Sequence, residues 1–124
     1  MKKKIGIGIG LVLAIYLLGS LVWDFGMLKA QANFANEQTR ICEEMRSKAL
    51  KTSSPVEIVD CLEYAANYYP SGSKQTAGSH LDHVVERYRR SVVRDIIAHL
   101  RRITAEDLGE SPEPWIRKFR PEKK

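Results

Sequence analysis

The chain has 124 residues, of which 44% are hydrophobic and 28% charged, and it carries a formal net charge of +5 at pH 7. These proportions are typical of a globular protein, and they exclude both a disordered tail and a membrane protein with several spans. A chain of this length accommodates one domain at most.

One segment, residues 5–23, contains 19 residues without a charge and directly follows Lys2, Lys3 and Lys4. As a helix it would be about 28 Å long, which matches the roughly 30 Å hydrocarbon core of a bilayer. Cationic residues before a span favour a cytoplasmic N-terminus. We therefore predict a single transmembrane anchor in the cytoplasmic membrane, with residues 1–4 in the cytoplasm and the remainder outside it, in the cell envelope.

The alternative is a secreted soluble helical protein, released by cleavage of a signal peptide after Ala32. The tripeptide Ala30-Gln31-Ala32 has the small-x-small pattern of a cleavage site. Signal peptides, however, have apolar stretches of only about 7–15 residues, so the length favours a retained signal-anchor.

Gly6 and Gly10 lie four residues apart within the apolar segment. Small residues at this spacing allow two membrane helices to approach closely, which makes a homodimer a candidate assembly.

The basic composition suggests nucleic acid as a partner, but the excess charge is confined to two places. These are the N-terminal lysines and residues 79–103. The lysines are explained by membrane topology, and an exported domain does not meet nucleic acid. We therefore expect no nucleic-acid binding.

Residues 24–50 form a predicted juxtamembrane helix, which can simply continue the anchor because these residues contain no proline and no glycine after Gly26. Its expected apolar stripe consists of Met27, Phe34, Ile41, Met45 and Ala49. A second helix begins at Pro55, with Ser54 and Glu57 forming a capping box. It extends to about Tyr69, and its apolar face comprises Ile58, Leu62, Ala65 and Tyr69.

Residues 70–78 are rich in turn-forming residues and predict a loop. Ser79 then caps a third helix, whose apolar stripe is the strongest periodic signal in the chain: Leu81, Val85, Tyr88, Val92, Ile96, Leu100 and Ile103. Ser111 and Pro112 begin a short last helix that carries Trp115. The expected fold is all-α, a small helical domain of residues 55–119 completed by the 34–50 helix and followed by a basic tail, residues 120–124.

Cys42 and Cys61 are the only cysteines. In an antiparallel hairpin of the first two helices, they lie at similar distances from the break before Pro55, and an exported domain can keep a disulfide. We expect this bond, with two buried thiols as the alternative.

Arg87, Arg90, Arg94 and Arg101 share one face of the third helix, opposite its apolar stripe. Such a face can bind an anionic partner. The alternative is an ordinary solvated face, in which Glu86 and Asp95 compensate the cations from one turn away.

His80, Asp82, His83 and Glu86 include types that ligate zinc, but polar residues are also favoured at a helix start, and no second ligand pair stands out. We expect no metal and no cofactor. No nucleophile and base converge in a recognisable motif, so we expect no catalysis. The predicted function is a binding or structural module with a protein or envelope partner; a small envelope enzyme is the less favoured alternative.

Thr104, Asp107, Gly109, Pro112 and Trp115 form a T-x-x-D-[LF]-G-x-x-P-x-x-W pattern. This pattern resembles a closing motif of uncharacterised bacterial envelope proteins and of some HEAT-like helical-repeat proteins. The resemblance implies a structural clip, in which Thr104 and Asp107 cap a turn, Gly109 makes it and Trp115 plugs the core.

Overall fold

A computed structural model describes residues 2–120, and it confirms the all-α fold. Four helices follow one another in the chain, and residues 2–120 contain no strand. Their bounds are α1, Lys2–Lys51; α2, Pro55–Asn67; α3, His80–Thr104; and α4, Pro112–Phe119. Residues 121–124 of the expected basic tail lie outside the described part of the chain.

The first helix is continuous for 50 residues, which corresponds to a length of about 75 Å. Its residues 3–30 are exposed throughout, and it is the one helix among residues 2–120 that is long and apolar enough to cross a membrane. Packing against the rest of the molecule begins at Gln31. The predicted anchor and juxtamembrane helix are therefore one uninterrupted rod.

The buried stripe of α1 differs from the predicted one. Met27 and Phe34 are exposed, and the buried positions are Ala35, Gln38, Cys42 and Ala49. Helix periodicity placed the large apolar residues in the core, whereas the positions of α1 that face its neighbours carry small or amide side chains, such as Cys42 against Ala65 and Gln38 against Tyr69. The prediction for the first part of the stripe was wrong for this reason.

The core lies where α1, α2 and α3 meet, and α4 closes it against α2. Helix α2 runs antiparallel to α1, and α3 returns parallel to α1. The second-helix face was predicted correctly for Ile58, Leu62 and Ala65, but Tyr69 lies beyond the end of α2 and is exposed. The buried part of α3 includes Val85, Val92, Ile96 and Leu100, four members of its predicted stripe.

The helix starts follow from local chemistry. Pro55 and Pro112 occupy first helical positions, and the Ser79 hydroxyl accepts a hydrogen bond from the Asp82 amide at 3.2 Å. The capping box predicted for Ser54 does not form, because Glu57 instead accepts a 2.6 Å hydrogen bond from the hydroxyl of Thr52.

Candidate functional site

The outer face of α3 presents three exposed arginines, Arg87, Arg90 and Arg94, which we call the arginine row. The helix places them opposite the buried stripe, at intervals of three and four residues. None of the three forms an ion pair within residues 2–120. The predicted fourth member, Arg101, is engaged with Asp107, at 3.0 Å between Nε and Oδ1.

The carboxylates of α3 do not compensate the arginine row. Glu86 accepts from Nε of Arg89 at 3.2 Å, and Asp95 pairs with Arg46 of α1 at 3.1 Å. Both carboxylates are thereby directed away from the row. Neither carboxylate forms an ion pair with a member of the row, and the choice between a binding face and a solvated face stays a prediction.

Asp82, the third carboxylate of α3, is buried and organises the loop before the helix. It accepts hydrogen bonds from the Ser71 hydroxyl at 2.6 Å and from the amides of Gly72 and Gly78, each at 3.1 Å. The Ser71 hydroxyl, followed by the two amides, lowers the pKa of Asp82 below its ordinary value. Asp82 therefore stabilises the loop, whereas Glu86, one turn later on α3, forms an ion pair with Arg89.

Arg89 is a residue whose role the sequence analysis missed. It is buried, and its guanidinium donates to the carbonyl oxygens of Ala65 at 3.0 Å, Ala66 at 3.3 Å and Tyr69 at 2.7 Å. These carbonyls lie at the C-terminal end of α2, where helices have unpaired acceptors. The sequence gives one indication that Arg89 is buried: it lies four residues after Val85, on the face of α3 that points into the core.

Two buried glutamines connect α1 to the same loop. Gln75 donates to Oε1 of Gln38 at 2.7 Å, and Gln38 donates to the carbonyl oxygen of Tyr69 at 3.0 Å. Seven residues before Gln38 on α1, Oε1 of Gln31 accepts a hydrogen bond from the amide of Thr76 at 3.0 Å. Each of the four buried polar side chains of the described domain thus either belongs to residues 65–82 or donates a hydrogen bond to them.

Tyr69 is the backbone position that this network stabilises. Its φ of 45° lies in the left-handed region, which costs a non-glycine residue on the order of 1 kcal/mol or more. Its carbonyl oxygen accepts from both Gln38 and Arg89. The Lys74 ammonium lies 4.6 Å from the centre of the Tyr69 ring and 4.5 Å from that of Phe34, so the side chain also packs against the loop.

The predicted disulfide between Cys42 and Cys61 is not present in the structure, where both are free thiols. Cys42 faces Ala65, whose carbonyl oxygen lies 4.0 Å from its sulfur. Cys61 lies four residues before Ala65 on α2, about 6 Å along the helix axis, so it is displaced by one helical turn from the residue that Cys42 faces. Burial raises the pKa of both thiols.

The residues of the expected clip occupy one corner of the domain. Trp115 is fully buried, and its indole nitrogen donates to the carbonyl oxygen of Gly109 at 2.9 Å. Gly109 has a φ of 92°, and its amide donates to Asp107. The Thr104 hydroxyl accepts from the amide of Glu106 at 3.3 Å and donates to the carbonyl oxygen of Leu100.

Gly6 and Gly10 lie on the exposed anchor, and a Cβ added at either would meet no atom within 4 Å. The surface remains open to a second helix, and the homodimer stays a prediction.

Comparison with protein-family models, with curated proteins and with solved structures found no match for this chain. The resemblance of residues 104–115 to a closing motif therefore stays a prediction, and the functional argument depends on the geometry of the domain.

Proposed function

We propose that this protein is a single-pass, membrane-anchored helical module of the cell envelope, which binds an anionic partner through the arginine row and performs no catalysis. The observation that carries the proposal is the contrast between the arginine row, which forms no ion pair within residues 2–120, and the carboxylates of α3, which are engaged with other groups. The membrane anchor holds this face at a fixed distance from the membrane.

The exposure of α1 supports membrane insertion. Large aliphatic side chains such as Leu11, Val12 and Ile15 are 62%, 66% and 63% exposed, and every residue from 3 to 30 is exposed. In water this apolar surface would be unfavourable by about 25 cal/mol for each Å². A bilayer removes that cost, because its interior is as apolar as the side chains.

The contacts of Gln31 support a retained anchor over cleavage after Ala32. The Gln31 carbonyl oxygen accepts from Gln75 at 3.3 Å, and its side-chain oxygen accepts from the Thr76 amide at 3.0 Å. Cleavage after Ala32 would remove both of these contacts between Gln31 and the loop. The domain is thus built around a helix that begins before the candidate cleavage site.

The three N-terminal lysines support an orientation with the domain outside the cytoplasm. In that compartment, arginine is well suited to anionic partners, because its planar guanidinium donates several hydrogen bonds in fixed directions. A protein with an acidic surface and an anionic component of the envelope both have this chemistry.

Two measurements test the proposal. Alkaline carbonate washing leaves an integral protein in the membrane fraction, and we expect the full-length chain there. A mature chain beginning at Asn33 would contradict the anchor.

Crosslinking in intact cells tests the row. Replacing Arg87, Arg90 and Arg94 together by glutamine is expected to abolish the crosslinked partner, whereas R102Q/R117Q, which removes two exposed arginines elsewhere, is expected to retain it. An unchanged partner in the triple variant would exclude the row as the binding face.

A further inference from the structure

The arginine row is part of a longer basic stripe on α3. His80 and His83 continue it toward the start of the helix, and all five side chains are exposed. The five positions follow intervals of three, four, three and four residues, so successive members are about 5 Å apart and the stripe is about 21 Å long. Its three arginines are exposed, and its first member, His80, borders a groove that it shares with Asp24 and Met27 of α1.

The stripe runs parallel to the anchor and not along the membrane surface. The Tyr88 hydroxyl donates to Glu43 of α1 at 2.6 Å, and farther along, His99 Nε2 lies 2.9 Å from the carbonyl oxygen of Thr52. Glu43 is 20 residues beyond Trp23, so Tyr88 is about 30 Å from the end of the span, and an ordinary tilt shortens this little. Electrostatic interactions at physiological ionic strength extend about 8 Å. Lipid headgroups are therefore too distant to be the ligand of the row.

Charges beside the row limit the shape of a ligand. A groove of about 420 Å³ separates Arg90 and Arg94 from Glu110 and Glu113 on the segment that follows α3. These carboxylates repel an anion on that side, while the carboxylates of α3 itself are engaged with other groups. The favourable region is therefore narrow and follows the helix.

From this geometry we infer that the partner is a linear anionic polysaccharide that lies along α3 as a single strand, an inference that rests on the proposed function. The repeat of the stripe is close to the length of one sugar residue in an extended chain, so one acidic group on each sugar meets one basic side chain. The guanidinium groups bind carboxylate or phosphate, and the imidazoles of His80 and His83 hydrogen-bond to the sugar. The exposed position of the stripe suits a strand that extends away from the membrane.

The test uses the full-length chain in phosphatidylcholine nanodiscs, with galacturonate monomer, trimer and hexamer as probes. We expect no binding of the monomer, and an affinity for the hexamer about tenfold above that for the trimer, because more pairs form. Each single change R87Q, R90Q or R94Q is expected to weaken hexamer binding about threefold, and the triple variant on the order of thirtyfold. The control R102Q/R117Q is expected to bind as the unmodified chain does.

Two further variants test whether Glu110 and Glu113 limit the binding region and whether the strand extends along α3 to His80 and His83. E110Q/E113Q is expected to strengthen hexamer binding about threefold by removing repulsion. H80A/H83A is expected to weaken hexamer binding while leaving trimer binding at the arginines unchanged. A hexamer affinity that is indifferent to both variants would overturn the linear placement.

The remaining outcomes separate the possible anions. Arginine modification by phenylglyoxal, read by mass spectrometry, should be blocked at the row by the hexamer but not by phosphatidylglycerol in the nanodisc. Three outcomes would each overturn the inference while leaving an anion-binding row. These are protection by the lipid alone, equal binding of monomer and hexamer, and tighter binding of polyglutamate or single-stranded RNA than of the hexamer. If no anionic probe binds and crosslinking is insensitive to the triple variant, the proposed function fails as well.

Discussion

The guanidinium group of Arg89 donates a 2.7 Å hydrogen bond to the carbonyl oxygen of Tyr69, a residue 20 positions earlier in the chain. This bond joins the core-facing side of α3 to the left-handed residue that lies just beyond the end of α2. The Arg89 cation is buried, while its neighbour Arg90 is exposed in the arginine row. The two adjacent arginines thus lie in opposite environments, and we propose a role in stability for Arg89 and in binding for Arg90.

Arg89→Met is expected to lower the free energy of unfolding by about 3 kcal/mol, because it leaves buried carbonyl oxygens without donors. Guanidinium chloride unfolding of the full chain in nanodiscs measures this loss. The matched change Arg90→Met removes an exposed arginine from the same helix and is expected to alter stability by less than about 0.5 kcal/mol. Equal effects of the two changes would contradict the proposed division of roles.

The charge of Asp82 is expected to stabilise the domain at neutral pH. Its pKa is lowered in the folded state, so its contribution is present above the unfolded value of about 4 and is lost as the pH falls through the folded value. Asp82→Asn should therefore cost about 2 kcal/mol at pH 7, and the difference from the unmodified chain should shrink below pH 4. Urea unfolding at a series of pH values measures this.

Asp24→Asn provides the control, because Asp24 is exposed on α1. Its stability should follow that of the unmodified chain at every pH. A loss in Asp82→Asn that stays constant down to pH 3 would show that shape, and not charge, is what the loop requires.

Trp115→Ala is expected to destabilise the domain by about 3–5 kcal/mol, since the ring is fully buried between α2 and α4. Trp115→Phe retains most of the packing and removes only the bond to Gly109, so a loss of about 1 kcal/mol is expected. Trp23→Ala changes an exposed tryptophan of the anchor and should leave domain unfolding unchanged. Thermal unfolding, followed by circular dichroism, distinguishes the three.

The two cysteines are expected to differ in reactivity. Cys42 is almost completely buried, whereas Cys61 is half-buried, so iodoacetamide should modify Cys61 first in the folded protein. Denaturation in the presence of the reagent should then label both thiols. Recovery of a chain without any alkylatable thiol would contradict the helix register described above.

The boundaries of the elements were largely predictable because they depend on neighbouring residues. Pro55, Ser79 and Pro112 mark helix starts through backbone geometry and local hydrogen bonds, which need no distant partner. The capping box at Ser54 failed for an equally local reason, since the Thr52 hydroxyl donates to Glu57 and itself accepts from the Ser54 amide, which would otherwise pair with Glu57.

The candidate site was predictable only in part. Helix periodicity by itself put Arg87, Arg90 and Arg94 on one face. Whether that face carries a net charge depended on Asp95, which pairs with Arg46 from another helix. Local spacing could not reveal this, because the competing partner lies 49 positions away in the chain.

The uncharged segment and the α-helical class followed from the amino-acid sequence alone, because both depend on composition and on short-range periodicity. Tertiary structure decided the burial of Gln38 and Arg89, as well as the separation of Cys42 from Cys61. A polar side chain enters the core only where another helix supplies its hydrogen-bond partners, and a thiol pair bonds only where the register of two helices aligns it. Both conditions depend on how α1, α2 and α3 pack against one another, which no single segment specifies.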